Sequence, residues 1–239
     1  VINLIHGDGN VGDMLIKQDV DHICFTGSAE VGQHIRKVCA DSWHKTCSCE
    51  MGSKSAVVVF EDGDFDLAVS ASLASSFKLS GQRCVSAGRL IVQRTIYDKF
   101  VEAYKHYAEQ VKAGSPFEDE PAYMGPLINE QQFDRVLRYN QMVREDHEAT
   151  VVIDSSHQRP GYFVSPMVYK TEWRDVPYLK EEVFGPHVAI IPFDTIDDAV
   201  RIYNDTDYGL AMGVVTEDFK KARICLLYTS DAADDLLCV

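Results

Sequence analysis

Positive charge is scarce in this 239-residue chain: 23 Lys and Arg stand against 37 Asp and Glu, for a formal charge of −14. A surface of that sign repels phosphate backbones and anionic lipid, so neither nucleic acid nor a membrane is an expected partner. Long apolar runs are missing too. Nothing approaches the ~20 residues of a spanning helix, and the opening VINLIHGDGN lacks the basic-then-apolar order of a signal peptide. The cytoplasm is therefore the expected compartment, although Val1 already sits in a strand-like run and any targeting segment would precede it. The chain also lacks internal repeats, long linkers and low-complexity tracts. Its seven cysteines are odd in number and without framework spacing, which reads as reduced thiols rather than disulfides. Cys47 and Cys49 would share one face of a strand, but no second pair stands at zinc spacing, so no metal site is expected.

What the sequence does contain is alternation. A composition of 46% hydrophobic and 25% charged residues suits one large or two ordinary domains with a sizeable core. Strand-like HICFTGS (22–28) runs into helix-like AEVGQHIRKVCADS (29–42); strand-like SAVVVF (55–60) is followed by a helical pattern from Asp64 to about Ser80. GRLIVQ (88–93) reads as a strand and the segments 95–114 and 129–146 as helices. TVVID, FVSPMVY and HVAIIPF then read as strands, DTIDDAVRIYND as a helix and GLAMGVVT as a strand. Strands alternating with helices predict an α/β fold with a mostly parallel sheet. The final ICLLYTSDAADDLLCV (224–239) continues neither period and reads as a foreign or frameshifted tail, or as an irregular terminus.

Four stretches carry residues suited to chemistry. In SGQRCVS, Cys84 stands at an element boundary, where exposure and nearby backbone N–H groups favour a thiolate; a buried structural thiol is the alternative. In CEMGSK, Glu50 lies among small and apolar residues that raise a carboxyl pKa toward that of a general base, whereas a solvated glutamate would do nothing. In FTGSAEVG a strand ends in Thr-Gly-Ser and a helix begins at once, so Gly27 and Ser28 offer an anion platform or simply a capped helix. In EEVFGP, Glu182 and Phe184 flank one position of a rigid turn; they suit a ribose and a flat heterocycle, or a solvated Gly-Pro turn.

Together these four motifs occur in the order and spacing of the aldehyde dehydrogenase superfamily, which the chain resembles from residue 1 to about 223. Cys84 follows Glu50 by 34 positions and Glu182 follows Cys84 by 98. The resemblance implies oxidation of an aldehyde to the acid with NAD or NADP, and PGYFVSPMVY and YNDTDYGLAMG resemble relatives acting on semialdehydes. Cys84 would attack the aldehyde to give a thiohemiacetal that passes hydride to the nicotinamide and leaves a thioester, and Glu50 would activate water to release the product. It further implies that Gly27, Ser28, Gly32, Met51 and Gly52 contact the cofactor, that Glu182 binds a ribose, and that Phe184 lies beside the nicotinamide. Residues 1–52 would close a Rossmann-type nucleotide-binding domain and 53–223 form the catalytic domain, with the active site between them. A homo-oligomer, dimer or tetramer, is implied for the full-length protein. The family's E-L-G-G-K stands here as Glu50-Met51-Gly52-Ser53-Lys54, so a serine replaces the second glycine. Competing readings are a catalytically incomplete fragment or interaction module, and a cysteine hydrolase pairing Cys84 with one of eight histidines, none of them in a partner motif.

One further stretch competes for the phosphate role. Gly7, Gly9 and Gly12 have G-x-G-x-x-G spacing, with INLI as a strand before them and a short helix from Gly12 after. The resemblance demotes this stretch to a neighbouring wall and gives the phosphate to FTGSAEVG.

Overall fold

The computed structural model describes residues 2–115, 117 and 122–228. The chain divides into two compact units, Val1–Gly52 and Ser53–Val239.

The first unit is a helix followed by a strand–helix–strand crossover. Helix α1 (Gly9–Ile16) is capped by Asp8, whose carboxylate accepts the N–H groups of Asn10 and Val11. Strand β1 (His22–Thr26) leads through α2 (Ala29–Ala40) to β2 (Thr46–Glu50), and the strands pair in parallel with Thr26 opposite Glu50. A parallel pair cannot be joined by a tight turn, which is why a helix of this length separates them. Helix α2 buries Gly32, Ile35 and Cys39, one face at helical spacing.

Two expectations for this unit need correcting. Residues 2–8 form no regular strand, and Ile2 and Leu4 are exposed, so INLI pairs with no strand among the described residues. The helix expected from Gly12 starts at Gly9, because Asp8 satisfies the donors of its first turn.

The second unit is built on a six-stranded sheet. In chain order its elements are β3 (Ala56–Val59), α3 (Phe65–Phe77), β4 (Arg89–Gln93), α4 (Tyr97–Ala108), α5 (Glu130–Glu145), β5 (Thr150–Ile153), β6 (His157–Gln158), β7 (Phe163–Val164), β8 (Met167–Lys170), α6 (Pro177–Lys180), β9 (His187–Phe193), α7 (Ile196–Asn204), β10 (Met212–Val215) and α8 (Phe219–Tyr228). The strand order is β10-β3-β4-β9-β8-β5, all parallel except β5 against β8, while β6 and β7 form a separate small ribbon.

Alternation along the strands feeds two cores. Val57 and Val59 of β3, Leu90 and Val92 of β4, and Val188 and Ile190 of β9 face a layer containing Phe77, Phe100 and Tyr104 of α3 and α4. Ala56, Val58, Ile91, Ala189 and Ile191 face the other layer, with Phe133, Val136 and Tyr139 of α5 and Ile202 of α7. Each fully buried aliphatic side chain contributes ~1.5–3 kcal/mol, so a sheet apolar on both faces requires helices on both.

The differences from the sequence expectations have local causes. FVSPMVY is split at Pro166, whose missing N–H cannot continue a ladder, into β7 and β8. Helix α4 ends at Ala108 rather than Gly114, because Val111 turns into the core and Ala113 bridges to Met124. Of the segment 224–239, residues 224–228 complete α8 instead of breaking the pattern, and Cys225 is fully buried. Residues 229–239 lie outside the described residues.

Candidate active site

In the first unit the structure gathers Gly27, Ser28, Gly32, Glu50 and Met51 at the carboxyl ends of β1 and β2. Ser28 caps α2, its Oγ accepting from Val31 N at 3.3 Å; the other N–H groups of a helix's first turn have no intrahelical acceptor. Gly27 donates its own N–H to the Glu50 carbonyl at 3.0 Å, so this amide is engaged rather than open to an anion. A side chain at 27 would run into the Phe25 ring, and a Cβ at Gly32 would come within 2.6 Å of the Met51 sulfur. Gly32 and Met51 are thus partners in packing: the missing side chain lets the helix lie against the chain leaving β2. Glu50 is exposed at the strand end, and Gly52 is half-buried just beyond. Cys47 and Cys49 do lie half-buried on the same face of β2, and burial raises the Cys49 thiol pKa, but no metal-binding group occurs among the described residues.

Gly9 and Gly12 are helical residues of α1, and a Cβ on either would meet nothing. Asp8 fills the anion position at this helix start with its own carboxylate. Of the three glycines only Gly7 must stay bare, since a Cβ there would come within 2.3 Å of the Val11 side chain.

In the second unit Cys84 lies half-buried on a turn between α3 and β4. The approach to it is strained: Leu79 and Ser80 hold φ of 54° and 59°, and Gly81 holds 69° with its Cα hydrogens against the Gly185 carbonyl, where a side chain would collide. Non-glycine residues in the left-handed region cost of order 1 kcal/mol each and persist only where the surroundings enforce them. Ser80 Oγ donates to Gly125 O at 2.8 Å, and Arg83 ties the far end of the turn, donating to the carbonyls of Ala74 and Ser75 at 3.2 and 2.9 Å and to Ser86 Oγ at 3.3 Å. The only other described non-glycine residue in that region is Phe184, at φ 58°.

The strap carrying Phe184 has no regular structure, and side chains satisfy its carbonyls. Lys54 donates to Glu181 O, Arg135 to Glu182 O at 2.6 Å, and Gln132 to Val183 O and Phe184 O at 2.9 and 2.8 Å. The Glu182 carboxylate receives the Ser53 N–H at 2.9 Å. Burial raises the Glu182 pKa, opposed by that hydrogen bond and by Arg135 and Lys54. A cavity of about 20 Å³ lies between strap and turn, lined by Ser53, Lys54, Ser76, Ser86, Glu182 and His187 among others. It is polar and the size of one water molecule.

Lys54, Arg89 and His187 went unrecognised in the sequence. Lys54 is 3% exposed, its Nζ donates to the carbonyls of Tyr178 and Glu181 at 2.9 and 2.6 Å, and burial pulls its pKa down to about 7, with Arg89 adding to the effect. Arg89, 1% exposed, donates to Lys54 O, Ile202 O and Tyr203 O, and burial lowers its pKa to about 10. His187 is buried between Asn140 Oδ1 at 2.8 Å and Tyr169 OH at 3.0 Å, and burial keeps its pKa well below the usual histidine value. The available signal was a basic residue at the mouth of an apolar strand run, as in SK-SAVVVF and GR-LIVQ.

The fold and these sites describe an α/β protein with a thiol on a strained turn and a half-buried, hydrogen-bonded carboxylate on a strap. The Aldehyde dehydrogenase family profile matches residues 1–228, and the chain belongs to this family. An aldehyde dehydrogenase of Aspergillus niger is 38% identical over 224 residues, 93% of this chain and 45% of that protein. Aldehyde dehydrogenase [NAD(P)+] 1 of Saccharomyces cerevisiae is 38% identical over 233 residues, 94% of this chain and 46% of that one. Among solved structures, betaine aldehyde dehydrogenase of Staphylococcus aureus in complex with NAD+ superposes with a TM-score of 0.86 at 32% identity, covering 94% of this chain and 45% of that one. The chain thus spans about half the length of the curated relatives it matches.

Proposed function

We propose that this chain carries the nucleophile and part of the cofactor site of an NAD(P)-dependent aldehyde dehydrogenase. The observation that carries the reading is the joining of the Cys84 turn and the Glu182–Phe184 strap through Ser53–Lys54–Ser55, in a chain belonging to this family. Names of relatives add to it: one is called NAD(P)+-dependent and one was solved with NAD+.

The residues present fit a nicotinamide dinucleotide. Ser53 N–H occupies Glu182 Oε1, and a carboxylate keeps further acceptor positions for ribose hydroxyls. Phe184 would wall the nicotinamide. At the start of α2, Gly27 and Ser28 would face a phosphate, with donors of the first turn lacking intrahelical acceptors. Gly32, Met51 and Gly52 would shape the wall beside it. When bound, the cofactor supplies the hydride acceptor.

In this reading the Cys84 thiolate adds to the aldehyde carbon, and its backbone N–H donates to the oxygen that gains charge. Oxidation of that adduct leaves a thioester on Cys84. Glu50 takes a proton from water, the resulting hydroxide attacks the thioester carbonyl, and the Cys84 thiolate leaves as the acid forms. A semialdehyde is the proposed substrate class, and a cytoplasmic dimer or tetramer the proposed assembly. The test is NAD(P)H formation by the full-length gene product with a panel of aldehydes. Loss of turnover in a folded Cys84→Ala variant is expected, and full activity in that variant would sink the mechanism. Ester cleavage requiring a histidine and indifferent to Glu50 and nucleotide would point to the hydrolase instead.

A further inference from the structure

Three consecutive residues hold two segments that are far apart in sequence. Ser53 N–H donates to Glu182 Oε1, and Lys54 Nζ donates to the carbonyls of Tyr178 and Glu181, so the strap is fixed at its ribose acid and in the residues just before it. Facing the other way, Ser55 O accepts from Gly88 N at 3.1 Å, and Ser55 Oγ lies 3.4 Å from the Cys84 carbonyl. The same Ser55 hydroxyl lies 3.0 Å from Ser53 Oγ. A hydroxyl has one proton, so Ser53 Oγ and Cys84 O compete for it. Any displacement of Ser53, which is tethered to the Glu182 carboxylate, changes how firmly the Cys84 peptide is held. Arg89 anchors the middle of the bracket by donating twice to Lys54 O, at 3.0 and 2.6 Å. Ser53 stands where the family's usual motif has glycine, and a glycine there would leave Cys84 O as the only one of the two acceptors.

We propose that Ser53–Lys54–Ser55 is a coupling bracket, with Lys54 and Ser55 as positioning residues, through which occupancy at Glu182 and Phe184 changes the reactivity of the Cys84 thiol. The proposal rests on the reading of Glu182 and Phe184 as cofactor residues. Coupling of this kind is a ratio: the factor by which nucleotide changes the thiol's reaction rate. A residue that merely supports the fold lowers the melting temperature without moving that factor.

The experiment uses the full-length gene product, with NADH as probe and iodoacetamide as the thiol reagent. Alkylation of the Cys84 peptide is followed by mass spectrometry, which separates it from Cys24 and the other thiols. NADH affinity is measured in parallel by nucleotide fluorescence. In the unmodified protein, saturating NADH is expected to change the Cys84 alkylation rate. In Ser55→Ala and Lys54→Met that factor moves toward one, and Lys54→Met also weakens NADH binding about tenfold, the scale of losing a charge-assisted buried hydrogen bond. Ser55→Ala removes a single oxygen, so it carries the test if Lys54→Met fails to fold. An NADH effect equal in size in Ser55→Ala and the unmodified protein, or no NADH effect in the unmodified protein despite binding, overturns the coupling alone. No NADH binding to the unmodified protein overturns the cofactor reading and the coupling with it.

Discussion

Ser53 and Glu182, 129 residues apart, are joined by a 2.9 Å hydrogen bond from a main-chain N–H to a half-buried carboxylate oxygen. Charge-assisted bonds of this kind are about twice as strong as neutral ones, and this one opposes the burial that raises the Glu182 pKa. In Glu182→Gln the amide oxygen still accepts the Ser53 N–H, but the charge is gone. Titration of the full-length protein should show NADH affinity reduced about tenfold with little change in melting temperature. Unaltered affinity would remove Glu182 from the cofactor site.

The glycines of the first unit should rank by what surrounds them. Gly32→Ala forces the Met51 sulfur aside, and Gly27→Val collides with Phe25; both should lower melting temperature and nucleotide affinity. Gly9→Ala, in open space on a helix, should stabilise by about 0.5–1 kcal/mol. Urea denaturation and nucleotide binding measured on the three variants check the order, and a greater loss of affinity in Gly9→Ala would return the phosphate role to GDGNVG.

Arg89 is a buried cation satisfied by three carbonyl groups and stacked on the rings of Trp173 and Tyr203, at 5.5 and 5.4 Å. Arg89→Met leaves those carbonyls without their donor, at a cost of about 1–3 kcal/mol for each buried acceptor left unsatisfied. Chemical denaturation reads the loss directly; a cost below ~1 kcal/mol would show the network to be dispensable.

Lys54 gives a pH signature of definite sign. Its folded pKa of about 7 lies below the ordinary 10.5, owing to burial and then to Arg89, so between those values the unfolded chain holds more protons than the folded one. Stability should therefore rise with pH across that window relative to Lys54→Met, with the full penalty of burying the ammonium present below pH 7. Parallel slopes for the two proteins would contradict this.

Asp146 gives the opposite case. Burial pushes its pKa up, but hydrogen bonds from the Tyr178 hydroxyl, the Glu148 amide and Arg174 outweigh that and hold it at about 2. A depressed carboxyl contributes stability above its ordinary 3.8 that disappears as pH falls to about 2. Asp146→Asn should be less stable than the unmodified protein at neutral pH, with the gap closing across that acid range.

The sequence by itself determined the α/β alternation, the positions of most strands and helices, and the four family motifs. These are local properties: period two or 3.6, a cap such as Ser28, a nucleophile in a fixed string of neighbours. Only the tertiary structure decided which polar groups are paid for by which others. Nothing along the chain says that Lys54 reaches Tyr178 and Glu181, that Met51 needs Gly32 bare, or that the strained turn at Leu79 and Ser80 abuts Gly185. A buried donor must find an acceptor wherever folding brings one, and that partner is set by sheet order and strap geometry rather than by distance in sequence.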